Sequence, residues 1–265
     1  MPMLTNDGVR LHWEARGAGS PLLLIMGHRY SARMWYPALD ALAASHRVIS
    51  FDNRGTGDSG YSLRVTIPQM ARDALAVMDA AGVESAHVYG VSMGGGIAQE
   101  LAVQQPTRVR SLILGCTALW SFEKLRMPKS VQLLYYLPPP LLRAVMAQRR
   151  GGDLVYGRAA RPAAIERDQR MIDADPHAML GLAAQAGAMI RHVADRERIA
   201  GLTMPALVLH GDEDPVVAHE HGVELATTLP NARLVTLEGA GHNYYVAAAE
   251  TANREVLAFL ERADA

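Results

Sequence analysis

Short, continuous apolar runs recur along the chain: Leu22-Leu23-Leu24-Ile25-Met26, Val48-Ile49-Ser50-Phe51, residues 86–91, residues 109–114, Ala206-Leu207-Val208-Leu209 and residues 232–237. Runs without polar alternation are the pattern of strands covered on both faces, as in a parallel sheet. Between them lie segments with apolar residues at helical spacing, over 34–44, 68–81, 93–105, 219–228 and 246–262. Pro68 suits a first helical turn and Gly82 the stop of the same helix. Near the start, Asp7-Gly8 supplies a tight turn before the alternating segment 9–14, which predicts a strand of an opening hairpin.

Strand and helix in repeated alternation predict an α/β fold: a mostly parallel central sheet, helices on both faces and right-handed crossovers. Ligands gather at the carboxyl ends of the strands in such a sheet. The rhythm breaks between Cys116 and Ala206, where no buried-strand pattern occurs. There Pro138-Pro139-Pro140 and Gly151-Gly152 punctuate helical segments over 129–137, 141–149, 162–173 and 178–191. The expected organisation is a core made of residues 1–116 and 204–265, with a helical cap inserted over 117–203.

With 265 residues and 49% hydrophobic composition, the chain is long enough for one substantial α/β domain. Its net charge is −1 and its 26 basic residues are dispersed, which argues against nucleic acid or an anionic membrane surface as a partner. No apolar run approaches the roughly 20 residues needed to cross a bilayer. The first residues lack the basic, apolar and small-residue order of a secretion signal, so a cytoplasmic location is expected. Nothing in the pattern specifies an oligomeric state. The single cysteine, Cys116, excludes an intrachain disulfide and a cysteine zinc cluster. With no basic neighbour in sequence to favour its thiolate, it reads as a small buried residue at a strand end.

Gly90-Val91-Ser92-Met93-Gly94 follows an apolar strand and opens a helix. A nucleophile in such a turn occupies a strained backbone conformation, and glycines two residues either side let strand and helix pass closely. A serine hydroxyl needs a neighbouring base to accept its proton. Of ten histidines, His242 is the best placed, in Glu238-Gly239-Ala240-Gly241-His242 between the last apolar run and the final helix. A third residue must hold the imidazole tautomer, and a carboxylate does this. Asp212, Glu213 and Asp214 follow the strand at 206–209, and all three are candidates.

Along nearly its whole length the chain resembles the α/β-hydrolase superfamily. The matching features are Gly27 after the first central strand, Asp52-Asn53-Arg54-Gly55-Thr56-Gly57-Asp58-Ser59, Gly90-Val91-Ser92-Met93-Gly94-Gly95, His210-Gly211-Asp212-Glu213-Asp214 and Gly241-His242. The resemblance implies the chain order serine, acid, base. It favours Asp214 among the three carboxylates, from its register before Pro215-Val216. It also implies an oxyanion hole formed by the backbone amides of Met93 and His28, with no metal and no cofactor. The usual His-Gly pair before that second donor is Met26-Gly27 here, and the His28 and Arg29 side chains either line the pocket or face solvent. The loop over 52–59 lacks the Gly-Lys-Ser/Thr ending of a phosphate-binding P-loop and reads as a structural turn, with no catalytic role for Asp52 or Arg54.

A serine nucleophile disfavours the carboxylate-nucleophile chemistry found elsewhere in this superfamily. Apolar and aromatic residues in the expected cap, among them Trp120, Phe122, Tyr135, Tyr136, Met171 and Met189, point to an apolar small-molecule substrate. The expected activity is hydrolysis of a small or medium carboxylic ester or lactone through an acyl-serine intermediate. A carbon–carbon bond hydrolase, a thioesterase or a cofactor-free haloperoxidase would use the same triad. A non-turnover receptor or a biosynthetic cyclase would use the same fold.

Overall fold

Successive residues of a strand face opposite sides of a sheet, and here both sides carry core. The computed structural model describes residues 2–120, 155–176 and 178–265. Its eight strands are β1 (Met3–Asn6), β2 (Val9–Arg16), β3 (Ser20–Ile25), β4 (His46–Phe51), β5 (Ala86–Val91), β6 (Val109–Gly115), β7 (Ala206–Gly211) and β8 (Ala232–Leu237). They form one sheet in the order β1-β2-β4-β3-β5-β6-β7-β8. The pairs β1/β2 and β2/β4 are antiparallel and all others parallel. The β1–β2 turn has positive φ at both Asp7 (45°) and Gly8 (73°), the backbone of a tight two-residue hairpin connection.

Alternation divides the strand residues between two buried layers. Leu23, Ile25, Ile49, Phe51, Val88, Leu112, Leu114 and Val208 pack on one side, with helices α2 (Ile67–Ala80), α3 (Met93–Gln104) and α7 (His219–Thr228). Leu22, Leu24, Val48, Tyr89, Ile113, Leu207 and Leu209 pack on the other, with α1 (Leu39–Ala43) and α9 (Ala249–Asp264). Each fully buried Leu or Ile contributes about 1.5–3 kcal/mol over leaving it in water, which explains why the buried positions of β3, β5 and β6 are mostly apolar. The edge strand β8 is only partly covered, unlike the fully buried strand its apolar run predicts, because it has a neighbour on one side only.

Most helix boundaries agree with the periodicity, and two differ for identifiable reasons. The segment expected as one helix over 34–44 is a 3-10 turn (Ala32–Trp35) followed by α1. Pro37 lies between them, where it has no amide to donate and would crowd a preceding turn. The helix expected over 246–262 is split into α8 (Tyr244–Ala247) and α9 by Ala248 at φ −125°, ψ 34°. Tyr244 and Tyr245 on α8 are buried against Tyr89 and Trp35, and this tertiary packing turns the chain before α9 starts.

The chain leaves the sheet after β6 and returns as β7, its hydrogen-bonded neighbour, with Leu112 opposite Ala206 and Gly115 opposite Leu209. Of the helices expected in the intervening cap, α4 (Pro162–Ala174) and α5 (Met179–Arg191) are present, followed by a short α6 (Arg196–Ala200) that the periodicity does not predict. The helices expected over 129–137 and 141–149 lie outside the described residues. Among the described residues no helix is long and apolar enough to cross a membrane.

Candidate active site

Ser92 sits between β5 and α3 at φ 55°, ψ −120°, a conformation an L-residue avoids unless its surroundings enforce it. Those surroundings are close-packed backbone. A methyl group on Gly90 would strike the Gly94 carbonyl, and one on Gly94 would strike the Ile25 carbonyl of β3. The turn is held from outside by Ser92 N–H donating to Gly115 O (2.8 Å) and by Thr117 Oγ1 donating to Ser92 O (2.8 Å). The glycines of the motif therefore let a strained serine stand at the carboxyl end of a central strand.

His242 follows the edge strand β8, three strands along the sheet from β5, and its loop reaches back to Ser92. Its Nε2 lies 3.0 Å from Ser92 Oγ and its Nδ1 lies 2.8 Å from Asp214 Oδ2. All three side chains are buried. A carboxylate accepts, so Nδ1 carries the proton and Nε2 is left to accept from the serine hydroxyl. Asp214 is itself fixed, because its Oδ1 accepts from the amides of Val216 (2.8 Å) and Val217 (2.9 Å). Burial pushes its carboxyl pKa up, but the charges and hydrogen bonds of His242 and His210 outweigh that and hold it well below the usual carboxylate range. Asp214 is thus an anion at neutral pH.

The two neighbouring carboxylates are engaged elsewhere. Asp212 Oδ1 accepts from Gly239 N–H (2.6 Å), and Glu213 accepts from the Arg158 amide (2.9 Å) and pairs with its guanidinium. Of the three candidates, the structure brings Asp214 to His242.

The loop after β3 passes beside the serine: a methyl on Gly27 would lie 3.2 Å from Ser92 Cβ and 3.8 Å from its Oγ. Met93 contributes the first amide of α3, which has no acceptor within the helix and stands at its positive end. The His28 side chain does not face solvent. It is buried, with Nε2 donating to Leu182 O of α5 (3.0 Å). Burial lowers its pKa from 6.5 to about 4, Arg29 adds to the lowering, and the Leu182 carbonyl partly opposes it. Arg29 adopts φ 78° and donates its amide to Gln185 Oε1 (3.3 Å).

The depressed His28 pKa has a stability consequence. The folded state favours the neutral ring, so its contribution is complete above pH 6.5 and is lost as pH falls towards 4, by about 3 kcal/mol. Urea unfolding of wild type and His28→Gln should show the wild type losing about that much relative to the variant between pH 7 and 4. A difference independent of pH would contradict it.

Cys116 also lies here, buried and at φ 41°, with Sγ 3.9 Å from Gly241 O. Burial first, and the Asp214 charge second, raise its thiol pKa well above the ordinary value, so the thiol stays protonated. That agrees with the sequence reading of an inert residue, although its closeness to Asp214 has no signature in the sequence. Among the described residues, Cys116, Asp214 and His242 place ligand atoms within 4.8 Å of one another, as do His12, Asp52 and Asp58. A neutral thiol is a poor metal ligand. In the second group Asp52 already accepts from the amides of Ala32 and Asp58 and pairs with His12. These contacts tie the 52–59 loop to itself at Asp58 and to the segments that carry His12 and Ala32, in keeping with a structural turn.

Sequence reasoning passed over several polar residues near the site. His210 Nε2 donates to Val217 O (2.8 Å) and lies 3.5 Å from Asp214 Oδ2. Asp168 on α4 is buried and accepts from the hydroxyls of Tyr156 (2.7 Å) and Tyr36 (3.1 Å). His210 stands at the end of β7 in His210-Gly211-Asp212-Glu213-Asp214, and its place four residues before the acid is the signal available in the sequence. Asp168 lies among the polar residues Glu166, Arg167, Gln169 and Arg170 of α4, so nothing in the sequence sets it apart.

A family model described as the alpha/beta hydrolase fold matches residues 20–248. The chain is 31% identical over 276 residues to a protein of Azorhizobium caulinodans that bears the name carbamate hydrolase RutD, covering 100% of both chains. It is 33% identical to the rhodomycin D methylesterase DauP of a Streptomyces species, covering 91% of each. A solved hydrolase from Pseudomonas aeruginosa superposes with a TM-score of 0.82 at 30% identity, over 98% of this chain and 97% of the other.

Proposed function

The chain belongs to the α/β-hydrolase fold family, and on that premise we propose that it hydrolyses a small or medium, largely apolar carboxylic ester or lactone through an acyl-Ser92 intermediate. The observation that carries this reading is the buried chain of contacts from Ser92 Oγ through His242 to an anionic Asp214, at 3.0 and 2.8 Å. Ser92 Oγ attacks the ester carbonyl while its proton passes to His242 Nε2. The carbonyl oxygen becomes an oxyanion, held by the amides of Met93 and His28, each worth about 3 kcal/mol in the transition state. As the tetrahedral intermediate collapses, the bond to the alcohol oxygen breaks and His242 returns the proton to that leaving group. Water then gives a proton to His242 and attacks the acyl carbon. The second collapse releases the carboxylic acid, and Ser92 recovers its proton from His242.

Asp214 does not exchange protons in this scheme. It keeps Nδ1 protonated and stabilises the imidazolium that forms in both halves of the cycle. The test combines a fluorophosphonate probe with p-nitrophenyl acyl esters. Wild-type protein should be labelled at Ser92, located by peptide mass spectrometry, and should turn over the esters many times per active site. Unlabelled protein without turnover would refute the reading, and a single turnover would favour a receptor.

A second acyl class is favoured by the relative that bears a carbamate-hydrolase name. A carbamate presents the same carbonyl to Ser92, with nitrogen on the acyl carbon, and the same proton transfers apply. Comparing kcat/KM for an ester and a carbamate of equal size assigns the preference.

A further inference from the structure

We propose that Asp175, in the segment joining α4 to α5, is a positioning residue that sets the His28 oxyanion donor through Ser31. The inference rests on the ester-hydrolase reading above. Loop 27–32 runs from the end of β3 to the 3-10 turn at Ala32 and passes beside Ser92 at Gly27. Its polar groups are gripped mainly from the α4–α5 side. His28 Nε2 donates to Leu182 O (3.0 Å) and Arg29 N–H to Gln185 Oε1 (3.3 Å). Ser31 gives both its donors to one carboxylate, N–H to Asp175 Oδ2 (2.8 Å) and Oγ–H to Asp175 Oδ1 (2.5 Å). From the sheet side comes Asp52 Oδ1, which accepts from Ala32 N–H (2.8 Å).

The Ser31–Asp175 pair is buried, so water does not compete for these bonds. The segment that carries Asp175 is braced in turn. Pro176 O accepts from Gly57 N–H (2.8 Å), Gly181 packs against Gly55 with no room for a β-carbon on either, and Gln185 Nε2 donates to Arg54 O (2.8 Å). Asp175 therefore fixes the loop three residues beyond His28 from a rigid base. Both of its oxygens must accept, because Ser31 presents two donors. An asparagine in the same place would offer one acceptor and turn an NH2 group towards the other donor. A displacement of about 1 Å in a transition-state donor is enough to cost on the order of 100-fold in rate.

The clamp acts on the oxyanion, so its loss should appear in the chemical step and leave ground-state binding intact. With p-nitrophenyl butyrate, Asp175→Asn is expected to lower kcat roughly 10- to 100-fold while KM changes less than about threefold. Affinity for a trifluoromethyl ketone, which forms an anionic tetrahedral adduct on Ser92, should fall by the same factor as kcat. Ser31→Ala removes one of the two bonds and should shift both quantities in the same direction by a smaller factor. The double variant should be no worse than Asp175→Asn alone. Should Asp175→Asn not fold, Ser31→Ala decides the matter by itself. A folded variant with kcat and ketone affinity within twofold of wild type, a loss confined to KM, or only a lower Tm would overturn the clamp. Wild-type protein that neither turns over the ester nor binds the ketone would overturn the hydrolase reading and the clamp with it, whereas a working wild type beside unaffected variants overturns the clamp alone.

Discussion

Ser92→Ala is expected to lower kcat/KM for a p-nitrophenyl ester by roughly four to six orders of magnitude, and His242→Ala by a similar factor. The double variant should fall no further, because the serine is a nucleophile only while the imidazole accepts its proton, across the 3.0 Å contact between them. Once either is gone the other has no work left in the cycle. Asp214→Asn should cost on the order of 10⁴ in kcat. An amide at this position turns an NH2 towards Nδ1 and favours the tautomer with Nε2 protonated, which cannot accept from Ser92. Steady-state kinetics at equal concentrations of folded protein checks all four variants. Additive losses in the double variant would show that the two residues act independently, contrary to the mechanism.

The second large effect concerns stability. Arg54 donates to Asp73 of α2 through Nε and Nη2, both at 2.6 Å, and the two side chains are almost wholly buried. Asn6 Nδ2 of β1 adds a third bond to the same carboxylate (2.7 Å). Asp73→Ala leaves a guanidinium buried without its counter-charge, and urea unfolding should show a loss of about 3–5 kcal/mol. For a chain of this length that lowers Tm by roughly 6–20 °C. Arg54→Met combined with Asp73→Leu should recover most of the loss, since two apolar groups need no partner. A double variant as unstable as the single one would mean that the pair contributes through its geometry and not through the cost of an unpaired charge.

How far the sequence could be read follows from which forces are local. Strands β3, β5, β6 and β7 are legible because burial on both faces leaves runs dominated by apolar residues, with only scattered polar ones such as His87, Ser111 and His210. The Ser92 turn is legible because the steric demand falls on residues two positions away, Gly90 and Gly94. Asp214 could be separated from Asp212 and Glu213 only by likeness to a family, since their difference lies in what each meets across the fold: His242, Gly239 and Arg158 respectively. The break at Ala248 was illegible for the same reason, because the apolar periodicity is continuous and the turn is imposed by where Tyr244 and Tyr245 must pack. The direction of the His28 side chain depends on Leu182, 154 residues away, and no local pattern encodes it.

The excursion from β6 to β7 starts and ends on neighbouring paired strands, with Leu112 opposite Ala206 and Gly115 opposite Leu209. By that measure the segment between β6 and β7 is open to exchange as a unit. The loop beside Ser92 sets a toll on such exchange. An incoming segment must carry acceptors for both donors of Ser31 and for the His28 ring, in the places now held by Asp175 and Leu182. Grafts that lack these acceptors are expected to turn over slowly even where they fold. Selection for new substrates along this scaffold would then keep a few polar positions of the insertion fixed while the rest drift.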